Sequence, residues 1–335
     1  MRRFLITLDV EDWFQVENLR PWNPYSVWDR RELRVEANVN RLLDLFDSFK
    51  LPSPPASRPR CCFQPDPVDP VNPVRSSFSP APCTVNHALS SSIHATFFVL
   101  GWLAERLPGL VREIAARGHE VASHGRSHRL CRPLADAELR AELGGSKRLL
   151  EDITGAEAAG FRAPNFSVDD RVLALIREAG YRYDSSYNSF SLHGRYGRIS
   201  LNGGRMGLAR RVADDFFELP VSNLPLSYLS TLGALAHFRH FSLPWSGGAY
   251  FRLLPLWVFQ AGVRSILKRD GAYLFYMHPW EVDPGQPRVR RASPAARFKH
   301  YTNLVQTEDK LRKMIERFGD CCFTTCRGYL DEMAG

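Results

Sequence analysis

The chain has 335 residues, of which 44% are hydrophobic and 24% charged, a composition ordinary for a globular protein with one large core or two smaller ones. Its longest apolar stretches are about half a membrane span and its N-terminus lacks a signal peptide's apolar core, so we expect a cytoplasmic protein. The net charge of +8 comes from scattered basic residues that form no recognisable nucleic-acid module, so nucleic acid is not an expected partner. The 7 cysteines include no CxxC pair, which predicts reduced structural thiols.

Short apolar runs that read as strands alternate with segments of helical period. The predicted strands are FLITLDV (4–10), ATFFVLG (95–101), EVASH (120–124), GFRAP (160–164), FFELPV (216–221), AYLFYMH (272–278) and CCFTTC (321–326). The predicted helices are 36–49, a helix that carries Leu103 to Ile114 and closes at Gly118, 136–153, and one from about Asp169 to Gly180. Apolar strands separated by amphipathic helices indicate a parallel α/β sheet, and a barrel is the favoured closure.

One segment departs from this alternation. Residues 51–93 are crowded with proline and serine and show no period, although a helix should pass directly into a strand there. We interpret this segment as a disordered surface insertion that folding of the barrel does not need.

Ionisable side chains gather where the predicted strands end. They are Asp9, Glu11 and Asp12 after the first strand, His124 and His128 after the third, Arg162 in the fourth, and His278 after a late strand. In a barrel of parallel strands these ends share one rim, where reactive groups collect. Histidines four apart face the same way if a helical turn begins there, which is a common divalent-metal spacing.

Each of these signals also has a structural explanation. The histidine pair could lie at the surface, and the cluster from Asp9 to Asp12 could cap a helix. Arg162 could serve as an ion-pair partner and His278 as a core histidine. Taken together the structural explanations weaken, because all of these residues are predicted at one rim. Two imidazoles and a carboxylate can hold a metal ion that activates water, a second carboxylate can accept a proton, and a histidine can donate one.

In these motifs the chain resembles the polysaccharide deacetylases of the NodB-homology type, over about residues 2–50 and 94–330. The resemblance implies an irregular (β/α) barrel in a single domain, 1–335, with 205–330 as a family-specific extension. Segments such as GGAYFRLLP (247–255) and YMHPWEVDPGQPR (276–288) are similar to a branch tied to bacterial exopolysaccharide export loci.

The resemblance also implies roles for individual residues. Asp9 matches the catalytic base, His278 the acid, and Arg162 the residue that orients the base. His124 and His128 match metal ligands, and the third ligand is Glu11 or Asp12, of which Glu11 is preferred because it shares a face with Asp9.

Three further residues are expected to contact substrate. Pro164 completes the Arg162-Ala-Pro164 motif, and Asn165 stands where the family has a tyrosine or similar residue, with its backbone N–H available to an oxyanion. Trp280, beside His278, is the best candidate for stacking on a sugar face.

The function expected from the resemblance is hydrolysis of an N-acetyl group on a sugar unit of an exopolysaccharide or its precursor. The expected cofactor is zinc, with cobalt or nickel as alternatives. The expected partners are an N-acetylated glycan and, peripherally, membrane-bound export machinery or a lipid-linked glycan. Two alternatives stay open: a non-catalytic glycan-binding protein on the same fold, and an amidohydrolase acting on small amides.

Overall fold

The computed structural model describes residues 1–49, 93–190, 196–201, 204–225 and 242–334. The strands are β1 (Arg3–Val10), β2 (Thr96–Val99), β3 (Glu120–Ser123), β4 (Gly160–Phe161), β5 (Tyr183–Asp184), β6 (Arg205–Met206), β7 (Ala209–Ala213), β8 (Phe216–Glu218), β9 (Leu224–Pro225), β10 (Ser242–Leu243), β11 (Ala272–Met277) and β12 (Cys322–Phe323). The helices are α1 (Val35–Asp47), α2 (Gly101–Arg106), α3 (Pro108–Ala116), α4 (Asp136–Thr154), α5 (Asp170–Glu178), α6 (Gly248–Leu253), α7 (Leu256–Asp270), α8 (Pro294–Tyr301), α9 (Thr307–Arg317) and α10 (Cys326–Ala334). None of the helices in these ranges is long and apolar enough to cross a membrane.

The main sheet follows the order β11-β1-β2-β3-β4-β5-β8-β7-β6, and β12 pairs with the start of β1. Every pair from β11 to β8 is parallel, whereas β7 and β6 run antiparallel. The strands curl around an interior without closing the ring, because β11 and β6 are the two ends of the sheet in the part of the chain that the structure describes. The predicted irregular (β/α) barrel is therefore confirmed, in the form of an open half-barrel.

Strand β1 shows how the sheet places reactive groups. Its alternate residues Phe4, Ile6 and Leu8 pack in the cluster that the surrounding helices complete, whereas Leu5 belongs to a second cluster. The period of two puts Thr7 and Asp9 on the same side as Leu5. A strand that is apolar towards the helices thus presents polar atoms to the interior at its carboxyl end.

Several predicted strands are shorter in the structure, since β4 and β8 cover only part of 160–164 and 216–221, and one predicted helix is divided. The helix predicted from Leu103 to Ile114 is divided into α2 and α3, because Pro108 offers no N–H and leaves Leu107 non-helical at φ −127° and ψ 53°. The predicted strand 321–326 is only Cys322–Phe323, since Cys326 already begins α10.

The predicted insertion, 51–93, lies outside the described residues except for Ile93, which is buried. The cysteines that the described ranges contain are free thiols. The division into a deacetylase domain and an extension over 205–330 stays a prediction, although β11 from that extension lies beside β1.

Candidate active site

The carboxyl ends of four parallel strands bring the predicted residues together at one edge of the sheet. Asp9 lies near the end of β1, and His124, Arg162 and His278 directly follow β3, β4 and β11. Together with neighbouring side chains, Asp9 and His278 line a cleft with a volume of about 120 Å³. The sequence rule that reactive groups collect at one rim thus describes this region.

Glu11, His124 and His128 form a candidate metal centre. Glu11 Oε1 lies 3.6 Å from His124 Nε2 and 3.4 Å from His128 Nε2. The three side chains are buried, and Glu11 Oε2 and both Nε2 atoms have no hydrogen-bond partner. Buried polar atoms are rarely left unpaired, because each costs about 1–3 kcal/mol. Two imidazole nitrogens and a carboxylate are the donor set of a divalent metal with open coordination positions, so these residues fit such an ion.

The charges around Glu11 favour its ionised form. Burial alone would raise the pKa of this carboxyl, but the imidazoles of His128 and His278 outweigh burial and hold the pKa well below its usual range. A metal ligand at this position would therefore be available as a carboxylate at neutral pH.

The loop after β3 positions the rings of His124 and His128 beside Glu11. The Nδ1 of His124 donates to the carbonyl oxygen of Arg162 at 2.8 Å, which leaves Nε2 unprotonated and able to bind a metal. No helical turn forms between these two histidines, because Gly125 and His128 have left-handed backbones with φ values of 76° and 56°. Glycine adopts this conformation at position 125 without steric cost.

Asp12, the alternative metal ligand, does not belong to this group. Its Oδ1 accepts the backbone N–H of Trp13, and its Oδ2 accepts the N–H groups of Arg34 and Val35 at 2.7 and 2.9 Å. These bonds tie the start of α1 to the loop after β1, so Asp12 has the helix-capping role that its sequence also allowed. Burial raises the pKa of Asp12 to about 6, although the three backbone bonds act against that rise.

Arg162 is wholly buried and holds Asp9 in place. Its Nη1 lies 2.7 Å from Asp9 Oδ1 and 2.9 Å from Thr7 Oγ1. Its other nitrogens donate to the carbonyl and hydroxyl oxygens of Ser185, and the guanidinium lies 4.1 Å above the ring of Phe98. The arginine is fully paired and rigid, which fixes the orientation of the Asp9 carboxylate.

His278 has a carboxylate partner, Glu281, that sequence analysis did not assign. Its Nδ1 lies 2.9 Å from Glu281 Oε1, and its Nε2 lies 3.3 Å from Glu11 Oε1. Burial disfavours the charged imidazole, but Glu11 and Glu281 outweigh burial and raise the pKa of His278 to about 10. His278 is thus held protonated, as a proton donor requires.

Arg252 fixes Glu281 in turn. The Nε of this buried arginine donates to Glu281 Oε2 at 2.6 Å, and its Nη atoms donate to the carbonyl oxygens of Lys299, His300 and Thr302. The one sequence signal that could have suggested this pair is the spacing of His278 and Glu281, which lie three residues apart after a strand. The partnership with Arg252 spans too long a stretch of sequence for any local pattern to show.

Changing Glu281 to glutamine should lower the rate of a reaction in which His278 donates a proton by roughly tenfold, a fraction of the 10²–10⁴-fold that a proton donor supplies. Loss of this carboxylate removes one of the charges that raise the pKa of His278, so the alkaline limb of the kcat–pH profile should move to lower pH. Rates measured from pH 6 to 10 on the metal-loaded protein check this, with Glu308→Gln as the control, because Glu308 is a half-buried carboxylate that pairs with Arg41 and does not line the cleft. An unshifted alkaline limb would mean that Glu281 serves only to pair Arg252.

Trp280, the residue predicted to stack on a sugar, is nearly buried. Its ring stacks against the rings of His278 and His300, with centroid distances of 5.3 and 4.1 Å. The residue borders the cleft but is only 4% exposed, which leaves little of its ring for a sugar to contact. The position of Trp280 next to His278 in the sequence predicted that the two side chains are close, but it could not predict the direction in which the indole ring faces.

The remaining predicted substrate residues lie in a tight turn after β4. Asn165 lines the cleft with a left-handed backbone, φ 54° and ψ 27°, which asparagine tolerates better than most residues. Pro164 is buried and packs towards Gly125, so it shapes the turn and does not line the cleft. Glu17 and Asn18, which sequence analysis did not single out, also line the cleft.

Two family models match the chain. A family model described as polysaccharide deacetylase matches residues 89–183, and a model described as a domain of unknown function (DUF3473) matches residues 185–331. The first match agrees with the predicted resemblance over residues 89–183.

Two curated relatives match over less than a third of the chain. The peptidoglycan-N-acetylglucosamine deacetylase of Bacillus cereus is 32% identical over 88 residues, which are 26% of this chain and 41% of the relative. Chitin deacetylase 1 of Cryptococcus neoformans is 30% identical over 99 residues, 30% of this chain and 21% of the relative. The chain therefore matches these relatives over less than half of their length.

A solved structure from Mycobacterium smegmatis, assigned to the polysaccharide deacetylases, superposes with a TM-score of 0.57. It covers 99% of this chain and 90% of that chain at 18% identity, a level at which the likeness establishes the fold alone.

Proposed function

We propose that the protein is a divalent-metal-dependent hydrolase that removes the acetyl group from an N-acetylated sugar unit. The observation that carries this proposal is the unpaired set of Glu11, His124 and His128 at the same rim as Asp9 and His278. The relatives named as chitin and peptidoglycan deacetylases support the same class of substrate.

Glu11, His124 and His128 would hold the ion. A divalent metal bound there would supply a Lewis acid, which polarises a carbonyl oxygen and makes water easier to deprotonate. Zinc is the metal we propose, because two histidines and a carboxylate form a common catalytic zinc set, and cobalt and nickel suit the same donors.

The chain's own residues divide the proton transfers between them. Asp9, oriented by Arg162, accepts a proton from the attacking water as its oxygen bonds to the acetamide carbon. His278, held protonated by Glu281, donates a proton to the sugar nitrogen as the carbon–nitrogen bond breaks. The products are acetate and a free amino sugar. The backbone N–H of Asn165 is proposed to stabilise the developing oxyanion from the edge of the cleft.

The finer substrate we propose is an exopolysaccharide or its precursor, including a lipid-linked one met near membrane-bound export machinery. The support is the similarity of the segments 247–255 and 276–288 to proteins of such loci. The cleft of about 120 Å³ suits one acetamido group more closely than a whole oligosaccharide.

Acetate release tests the proposal. Purified protein loaded with zinc or cobalt should release acetate from N-acetylglucosamine oligomers or from the host's own polymer, and a chelator should stop the release. Binding of the oligomer without release, unaffected by the chelator, would favour a glycan-binding protein. Release from small amides but from no sugar would favour a different amidohydrolase.

The change Glu11→Gln should weaken zinc binding by roughly tenfold or more, because it removes the anionic donor of the metal set. The matched change Asp12→Asn should leave zinc binding intact and instead lower thermal stability, since it weakens the cap that accepts the N–H groups of Arg34 and Val35. Zinc titration and thermal unfolding of both variants check this pair. Loss of zinc from Asp12→Asn with retention by Glu11→Gln would reverse the assignment.

A further inference from the structure

Four large apolar side chains are exposed on segments that neighbour one another. Trp257, in the first turn of α7, is 74% exposed, and Phe298, on α8, is 61% exposed. Val305, in the turn before α9, is 78% exposed, and Leu253, at the end of α6, is 39% exposed. Single exposed apolar residues are ordinary at a protein surface, whereas several on adjoining segments indicate a surface of contact.

Hydrogen bonds hold these segments against one another. Buried Arg252, beside Leu253, donates to three carbonyl oxygens at the end of α8. Asn303, two residues before Val305, donates through its side chain to the carbonyl oxygen of Arg252 at 2.9 Å. Lys310, on α9, donates to three carbonyl oxygens in 251–254, which lead directly into α7. The four apolar side chains therefore belong to one part of the surface.

The same part of the surface is strongly basic. The stretch 284–307 contains no aspartate or glutamate, and its cations are Arg288, Arg290, Arg291, Arg297 and Lys299. Arg290, Arg291 and Arg297 are exposed, and they pair with no carboxylate among the residues that the structure describes. The first two acids after this stretch are already paired with basic side chains, at 3.0 and 2.7 Å. The three arginines therefore present uncompensated positive charge.

The outer face of α7 combines the same two properties. Its exposed residues recur at helical spacing and are Trp257, Ala261, Arg264 and Lys268. The opposite face packs in the core through Phe259, Val263 and Ile266. An exposed helix face with an aromatic side chain and several cations is typical of a helix that lies on a lipid surface.

An anionic lipid bilayer fits both the charge and the apolar side chains. Its phosphate groups attract arginine, and the boundary with its acyl chains accepts exposed aromatic and aliphatic side chains. A nucleic acid or an acidic polysaccharide would pair with the cations but would leave Trp257, Phe298 and Val305 in water. A protein partner would need a pocket shaped for each of these protruding side chains, which a fluid bilayer does not.

We propose that this part of the surface, which we call the docking surface, binds an anionic lipid bilayer. Trp257, Phe298 and Val305 enter the headgroup region, and the three unpaired arginines contact lipid phosphates. The long arginine side chains reach the phosphates while the shorter apolar ones lie deeper.

The docking surface borders the cleft. Phe298 precedes Lys299 in the chain and Leu253 follows Arg252, and both Lys299 and Arg252 line the cleft. A docked protein therefore holds the cleft beside the membrane, where a glycan attached to a lipid would be within its reach. This consequence rests on the proposed function, whereas binding to the bilayer does not.

Sedimentation with vesicles tests the docking surface. The full chain is mixed with vesicles of phosphatidylcholine alone, or of phosphatidylcholine and phosphatidylglycerol in equal parts, at low ionic strength. It should bind the mixed vesicles at least tenfold more tightly, because only they carry negative charge. The triple change Arg290→Gln, Arg291→Gln and Arg297→Gln should weaken that binding by roughly 100-fold, at about fivefold for each cation.

A matched control separates a local contact from net charge. The changes Arg112→Gln, Arg140→Gln and Arg148→Gln remove the same three charges from exposed positions on α3 and α4. This variant should bind the mixed vesicles within a few-fold of wild type. Equal losses in the two triple variants would mean that overall charge attracts the protein, and the docking surface would be wrong.

Insertion of the apolar side chains has its own measurement. Phe298→Ser should weaken vesicle binding by about tenfold, because it removes a ring that the bilayer would bury. Lipids with brominated acyl chains should quench the fluorescence of Trp257, and Trp257→Leu should abolish this quenching while the protein still binds. Since both side chains are exposed, the melting temperatures of the two variants should equal that of wild type.

The outcomes distinguish this proposal from the proposed function. Failure to bind mixed vesicles would overturn the docking surface even if the protein releases acetate from soluble oligomers. Binding that Phe298→Ser leaves unchanged, without quenching by brominated lipid, would also overturn it and favour a soluble polyanion or an acidic protein as the partner. Binding with the expected losses would support the docking surface even if acetate release fails.

Discussion

Replacing Asp9 by asparagine should lower the rate of acetate release by about 10²–10⁴-fold, the usual contribution of a positioned proton acceptor. An amide has nearly the same shape as the carboxylate, but it cannot accept the proton of the attacking water. Arg162 would still find acceptors in the amide oxygen, in Thr7 Oγ1 and in both oxygens of Ser185, so the fold should persist. The loss should appear in kcat, with zinc content unchanged.

The matched control is Glu17→Gln, which makes the same chemical change at another position in the cleft. Glu17 pairs with Arg20 and has no bond to Arg162, so this variant should keep its rate within a few-fold of wild type. The test compares the single-turnover rates of both variants. Zinc analysis and circular dichroism of the same proteins check that metal content and fold are unchanged. If Asp9→Asn retained more than a tenth of the wild-type rate, another group would have to accept the proton.

The sequence predicted the position of the site better than its details. The side-chain period of two along β1 and the rule that parallel strands end at one rim were enough to bring Asp9, Arg162 and His278 together. The helix boundaries were within one or two residues for α1 and α4, because apolar spacing and the glycine after α4 mark them. The break between α2 and α3 was missed even though Pro108 was visible, because the apolar period continues across it.

The sequence could not predict how individual side chains are oriented or which residues far apart in the chain contact each other. Trp280 lies beside His278 as expected, but its stacking on His300, 20 residues further along, could not be predicted from the local sequence. Glu11 and Asp12 are adjacent acids, and backbone N–H groups from the start of α1 decide which of them becomes a cap.

The change Arg162→Met should lower the free energy of unfolding by about 3–5 kcal/mol, the usual cost of removing one partner of a buried ion pair. Asp9 is 3% exposed and lies near the carboxylate of Glu11, so without the guanidinium its buried charge would depend on His278, which Glu11 and Glu281 already engage. The exposed pair of Arg2 and Asp320 offers the control, because Arg2→Met should cost no more than about 1 kcal/mol. Urea unfolding in the presence of a chelator measures both changes without a metal's contribution.

A double-mutant cycle separates the ion pair from the packing of the arginine. The variant with both Asp9→Asn and Arg162→Met no longer buries an unpaired carboxylate, so it should be more stable than Arg162→Met alone while remaining as inactive as Asp9→Asn. The remaining deficit would report the contacts of Arg162 with Ser185, Thr7 and the ring of Phe98. If the double variant were no more stable than Arg162→Met, the destabilisation would come from lost packing, and Arg162 would not be needed to balance the charge of Asp9.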